Sequence, residues 1–312
     1  MPLPPFESSA IDAYPAKSDW DAVSTELFDT VLAEWELSEP EMLDAGEGGV
    51  VARVTRPDGL RAVLKVGFPH IEAVWEAAVL DALPDDLAPA VYRVDPWRWA
   101  TLMESIEPGV PLVRAGLPFD HSLEIAGGLH RRLTACPVPY TDVDRLDDQL
   151  TYFLRRALVS LDVHAEAARR HGVPSDRVRD ALREGLDLTS ARTGTALIHG
   201  DFNPGNLISS GDDWRIIDIK PLVGDPAFDL QPLVRDLADR ISRDDADLLR
   251  RGVVVAARAM GCDPVRAARW ARVRAALNVS WCLDDLDAAQ AVVEARHLAC
   301  WDRVAEGLSS AA

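Results

Sequence analysis

Between residues 18 and 37 the chain reads SDWDAVSTELFDTVLAEWEL, and Trp20, Val23, Leu27, Val31 and Trp35 recur at helical spacing. Ser18 stands where an N-cap is wanted, so the pattern predicts an amphipathic helix. The period then shortens to two. VVARVT (50–55) and RAVLKVGF (61–68) are β-branched runs joined by RPDG (56–59). Proline presets φ in that turn and glycine accepts positive φ, which predicts a β-hairpin. HIEAVWEAAVLDAL (70–83) returns to helical periodicity, and strand-like runs follow around 90–95 and 98–106. Beyond Pro108-Gly109 the segments from 119 to 191 are long, helical and rich in Leu, Arg and Ala. ALI (196–198), LIS (207–209) and WRIIDI (214–219) read as short strands, the last two flanking the turn SGDD, and 226–308 is helical again. The expectation is an α+β chain in two lobes. Residues 1–106 form a small antiparallel-sheet lobe with a leading helix, and residues 107–312 a larger, mostly helical one.

Composition narrows the classes. The 312 residues carry 33 Lys+Arg against 51 Asp+Glu, a formal charge of −18. Such a balance argues against a general nucleic-acid binder and against docking on anionic lipid. The N-terminus lacks the basic and apolar regions of a signal peptide, and no apolar run reaches about 18 residues, so the chain reads as cytoplasmic. Cys136, Cys262, Cys282 and Cys300 show no CxxC spacing and read as idle thiols in a reducing compartment. Only Lys17, Lys65 and Lys220 are lysines; the remaining cations are arginines. A lysine kept in that background needs a compact ammonium rather than a guanidinium fork.

The segment ALIHGDFNPGNLI concentrates the candidate chemistry. A strand delivers His199, Gly200 and Asp201 into a loop, Asn206 follows Asp201 by five residues, and Asp218 lies twelve further on at the end of the next apolar strand. Phosphoryl transfer from ATP needs this inventory: a carboxylate to orient or deprotonate a hydroxyl, and hard oxygen ligands for Mg²⁺. The spacing matches the D-x-x-x-x-N element of the protein-kinase catalytic loop. Lys65 lies mid-strand in AVLKV, where a cation can reach phosphates. Glu76 could pair with it, with Glu72, one turn earlier, as its competitor. Gly46, Gly48 and Gly49, before the hairpin, fit a flexible flap over phosphates or simply a turn. WATLMESIEPG (99–109) reads as the last strand of the small lobe running into the connector.

The order GEGGVV, AVLKV, EAAVL, LMESIEPG, LIHGDFNPGNLI and IIDIKPLVGDPAFDL resembles the aminoglycoside phosphotransferase family, whose fold is related to the protein kinases. IDIKPLVGDPAFD (217–229) is most similar to its streptomycin 6-phosphotransferase and hydroxyurea phosphotransferase branch. The resemblance implies that Asp201 is the catalytic base or hydroxyl-orienting carboxylate and that Asn206 and Asp218 hold Mg²⁺. It implies that Lys65 and Glu76 clamp the ATP phosphates, and that Glu104 and Ile106 carry the adenine contacts. His199 would support the loop, Lys220 would interact with that loop or with phosphate, and Asp225 and Asp229 would cap and anchor the following helix. FNPG (202–205) departs from the Leu-His-His-Gly-like stretch of streptomycin-type members.

The implied reaction is ATP- and Mg²⁺-dependent phosphorylation of an aminoglycoside hydroxyl, with the 6-position of streptomycin as the named acceptor. Hydroxyurea, a peptide antibiotic, an amino sugar or a metabolite is the alternative acceptor, and a catalytically inactive nucleotide-binding protein the alternative class. Asp142, Asp144, Asp147 and Asp148, with Asp284, Asp285 and Asp287, could steer a cationic small molecule, although each singly also reads as a solvated acid or helix cap. The expected partners are that acceptor alone, with neither nucleic acid nor membrane, on a monomer or dimer.

Overall fold

The computed structural model describes residues 6, 20–43, 49–192, 194–242 and 244–310. Ser18, Gly46 and Gly48 lie outside the described residues. The chain divides into two compact units. Met1–Pro111 joins with Asn206–Pro221 in one, and Leu112–Gly205 with Leu222–Ala312 in the other.

The first unit opens with α1 (Trp20–Glu34), followed by β1 (Ser38–Met42), β2 (Gly49–Thr55) and β3 (Arg61–Gly67). Then come α2 (Glu76–Ala82), β4 (Val91–Asp95), β5 (Ala100–Glu104) and β6 (Pro108–Pro111). A five-stranded antiparallel sheet runs in the order β1-β2-β3-β5-β4. Its period-two alternation sends Ala52, Val54, Ala62, Leu64, Val66, Ala100 and Leu102 to one face. There they pack under Trp20, Phe28, Val31 and Trp35 of the α1 region. Lys65 falls between Leu64 and Val66 and so projects from the opposite face, paired in register with Val51 and Thr101. Gly49 opens β2 at φ +139°, where a Cβ would lie 2.2 Å from the Val66 carbonyl oxygen. The pairing itself therefore requires glycine there.

Two sequence expectations change. β1, SEPEM, has every residue exposed and carries no alternation, so periodicity does not predict it. Its acids and proline suit a sheet edge, and Glu41 pairs with Arg53 and Arg61 across the strands. The helix expected over 70–83 is broken into a 3-10 turn at Ile71–Ala73 and α2 from Glu76. The His70 ring accepts from the Glu72 amide and caps the short turn.

A strand pair from far along the chain completes this unit. β8 (Leu207–Ser210) and β9 (Asp213–Ile216) form a hairpin, and β8 also pairs with β6. The Ile216 amide donates to the Leu87 carbonyl, and Arg215 pairs with Glu104 at 2.8 Å. β9 ends at Ile216 rather than at Asp218, which stands two residues on with φ +55°.

In the second unit α3 (Phe119–Ala135), α4 (Leu146–Val163), α5 (Ala165–His171) and α6 (Ser175–Ser190) precede β7 (Ala196–Ile198). β10 (Leu222–Gly224) pairs antiparallel with β7. A 3-10 turn at Pro226–Asp229 leads into α7 (Leu230–Asp239), α8 (Ala246–Met260), α9 (Pro264–Asp284) and α10 (Ala288–Ser309). Asp245, Asp263 and Asp287 cap α8, α9 and α10 with their carboxylates, placing negative charge at helix N-termini.

Candidate active site

In the first unit the sheet and α2 converge on one ammonium. Lys65 Nζ lies 2.5 Å from Glu76 Oε1 and 2.5 Å from Asp218 Oδ1. Of the two glutamates open to Lys65 in the sequence, α2 selects Glu76, while Glu72 sits beside His70. Burial by itself would lower the Lys65 pKa, but Asp218 and Glu76 outweigh it, and the ammonium is held above its ordinary range. Burial, together with the like charge of Asp218, pushes the Glu76 carboxyl up, against the pull of Lys65. The Asn206 carbonyl accepts from the Ile217 amide at 2.9 Å, so Asn206 and Asp218 start from neighbouring backbone positions. An amide and a carboxylate oxygen so placed suit Mg²⁺, which takes few protein ligands and shares its sphere with phosphate and water. Among the described residues no group of three or more His, Cys, Asp or Glu forms a protein-only metal cage. The Glu104 amide is spent inside the unit, donating to the Ala90 carbonyl, and its carboxylate takes Arg215; Ile106 is buried. Lys220, half-buried in the same unit, adds a cationic influence on Glu76.

In the second unit the HGD loop is held from behind. Asp229, fully buried, accepts from the His199 amide at 2.7 Å and the Gly200 amide at 2.9 Å, and His130 Nε2 lies 3.1 Å from its Oδ2. Burial alone would raise the Asp229 carboxyl; His130 and the loop amide outweigh it and hold it below its ordinary value. The sequence reading that Asp229 caps the following helix is therefore corrected: its side chain makes no cap bond to α7 and turns back to the loop. Asp225 does cap, accepting from the Ala227 amide, and it also takes Arg266 and the Trp270 indole. His199 is buried, and its Nδ1 accepts from the Asp201 amide at 3.3 Å.

The departure at FNPG has a structural content. Phe202 is fully buried and packs edge-on against both His130 and His199. Asn203 accepts from the Gly205 amide at 2.8 Å through its side chain, an Asx turn, and the Pro204 carbonyl accepts from Val113. Asp201 is half-buried on that loop, and its Oδ1 accepts from the Asn203 side-chain amide at 3.4 Å.

Most of the acids read as steering groups have local partners. Asp147 pairs with Arg145, Asp148 with Arg192, Asp284 accepts from Ser160 and approaches His164, and Asp287 is a cap. Asp144 differs: burial and the nearby Asp148 raise its carboxyl above the ordinary range. Sequence reasoning missed Arg274, whose Nη1 donates to the Gly200 carbonyl at 3.2 Å. The available signal was Arg266, Trp270 and Arg274 recurring every four residues on α9.

A family model described as aminoglycoside/hydroxyurea antibiotic resistance kinase matches residues 34–286. Streptomycin 6-kinase of Streptomyces glaucescens is 29% identical over 276 residues, which cover 86% of each chain. Hydroxyurea phosphotransferase of Kitasatospora aureofaciens is 30% identical over 261 residues, 81% of this chain and 72% of that one. Among solved structures, a streptomycin–ATP–APH(2")-IIa ternary complex aligns with a TM-score of 0.57 at 16% identity, over 88% of this chain and 97% of that one. That likeness carries the fold, an antiparallel-sheet unit followed by a mostly helical one, of the kinase-like class.

Proposed function

The chain belongs to the aminoglycoside/hydroxyurea antibiotic resistance kinase family, and from that premise we propose that it transfers the γ-phosphoryl group of ATP to a hydroxyl of streptomycin. The observation that supports this most is Lys65, held between Glu76 and Asp218 with its ammonium charged. A compact cation fixed by two carboxylates suits the α/β-phosphates. Gly46, Gly48 and Gly49 are the proposed cover over those phosphates, and the backbone around Glu104 and Ile106 the proposed edge for adenine. Asn206 and Asp218 would hold Mg²⁺, which when bound neutralises phosphate charge.

Asp201 orients the acceptor hydroxyl and receives its proton as the new O–P bond forms and the bond to the ADP oxygen breaks. ADP and the phosphorylated acceptor are the products. Nothing in this inventory calls for a phospho-enzyme; rate comes from positioning and charge. The proposed place of action is the cytoplasm, where ATP is abundant. Hydroxyurea is the second reading, supported by the 30% identical relative; FNPG in place of the streptomycin-type loop speaks against streptomycin without naming another acceptor.

The test is ADP release over a panel of streptomycin, other aminoglycosides, hydroxyurea and peptide antibiotics, with Asp201→Ala as control. Streptomycin-dependent turnover that Asp201→Ala abolishes is expected. Turnover with hydroxyurea alone moves the assignment to the second reading, and silence across the panel removes both.

A further inference from the structure

We infer that Arg274 is a positioning residue for phosphoryl transfer, acting on Asp201 through the Gly200–Asp201 peptide; the inference rests on Asp201 being the carboxylate that receives the acceptor hydroxyl.

The peptide unit that carries Asp201 is gripped at both ends. Its N–H, from Asp201, donates to His199 Nδ1 at 3.3 Å, and its C=O, from Gly200, accepts from Arg274 Nη1 at 3.2 Å. The amides just before it are fixed by Asp229. Gly200 has φ +79°, and a glycine offers little resistance to rotation of the peptide that follows. That rotation changes the Asp201 φ, and with it the backbone on which the Asp201 side chain is mounted. Asp229 does not restrain it, because it binds the amides upstream. The two contacts on that plane do: His199 Nδ1 accepts from its N–H, and Arg274 donates to its carbonyl.

Arg274 is itself well placed to hold. Its guanidinium carbon lies 4.3 Å from the Phe228 ring centroid, in cation–π geometry. Phe228 meets Trp270 edge-on, with centroids 5.6 Å apart, and the Trp270 indole donates to Asp225 at 2.8 Å. Arg266 also pairs with Asp225. One face of α9, read every four residues, therefore grips the Asp225–Asp229 segment and ends on the catalytic loop. A planar guanidinium can lie on an aromatic ring and donate in its own plane; an ammonium cannot do both.

The experiment compares wild type, Arg274→Ala, Arg274→Lys and Asp201→Ala with the best acceptor from the panel, alongside their melting temperatures. Arg274→Ala is expected to lower kcat about a hundredfold, the scale of a misplaced catalytic group, with KM for ATP within about twofold, as a uniform-binding effect is absent. Added guanidinium should restore part of the Arg274→Ala rate and none of the Asp201→Ala rate, and Arg274→Lys should remain slow. Unchanged kcat in Arg274→Ala beside an inactive Asp201→Ala overturns this inference alone. Wild-type turnover in Asp201→Ala overturns it together with the mechanism it rests on. Hydrogen exchange at the Asp201 amide, which donates to His199 Nδ1 from the same peptide plane, reads the hold on that plane without any acceptor. At least tenfold faster exchange in Arg274→Ala, with α10 unchanged, is expected, and an unchanged rate overturns the inference.

Discussion

Lys65 and Asp218 stand 153 positions apart in the chain, and their Nζ and Oδ1 atoms lie 2.5 Å apart. The same ammonium reaches Glu76, the first residue of α2, and leaves Glu72 to His70. Glu76→Gln should therefore raise KM for ATP at least tenfold, since a hydrogen bond to a charged group contributes about 1.5–3 kcal/mol. Glu72→Gln should leave KM unchanged. Lys65→Arg should not substitute, because a guanidinium fork differs from a point charge in size and geometry. Steady-state ADP release and calorimetric titration of a non-hydrolysable ATP analogue check all three.

Asp229 holds the HGD loop within the second unit and gives that hold a pH dependence. Its carboxyl sits below the unfolded value of 3.8 because His130 and the loop amide outweigh burial. A depressed folded pKa contributes stability that is present above the unfolded value and lost as pH falls through the folded one. Asp229→Asn should cost about 1–3 kcal/mol at neutral pH, because its side-chain nitrogen would face one of the two loop amides and leave that buried donor unpaired. The gap between the two melting temperatures should narrow once pH drops below about 4, measured by thermal denaturation from pH 7 to pH 2.

Gly127 and Gly128 are neighbours in α3 with opposite surroundings. A Cβ on Gly127 would lie 2.3 Å from the Ala259 Cβ of α8, whereas a Cβ on Gly128 would meet nothing within 4 Å. Gly128→Ala should stabilise by about 0.5–1 kcal/mol through helix propensity. Gly127→Ala should destabilise by about 1–3 kcal/mol through overpacking. Chemical denaturation of the two single variants decides this, and equal shifts would contradict the packing.

Cys262 lies near Asp225, and burial, reinforced by that charge, pushes its thiol up to about 12. The thiolate is the reactive form. Alkylation at pH 8 with mass mapping should leave Cys262 unlabelled in the folded protein and label it after denaturation.

Much of the first unit is legible along the chain because its chemistry is local. RPDG makes the β2–β3 turn with its own residues, and the alternation in RAVLKVG puts Lys65 on the face opposite Leu64 and Val66. β1 is not legible, since an edge strand of exposed acids buries nothing and so leaves no period. The candidate site divides in the same way. His199, Gly200, Asp201, Asn206 and Asp218 stand out by spacing. Asp229 was visible only as a cap, because the loop amides it accepts from are thirty residues upstream.

Periodicity and turn chemistry by themselves determined the α+β order of elements, and the HGD segment with its Asn and Asp pointed to phosphoryl transfer. These depend on residues close in sequence, whose geometry the backbone imposes directly. Only the tertiary structure decided that Asn206–Pro221 folds with the first unit, through β6–β8 pairing and the Ile216–Leu87 hydrogen bond. It also decided that Glu76 rather than Glu72 meets Lys65, and that Arg274 holds the Gly200 carbonyl. Each of these is a contact between distant stretches, and a polar group's choice of partner is settled by which groups packing leaves beside it.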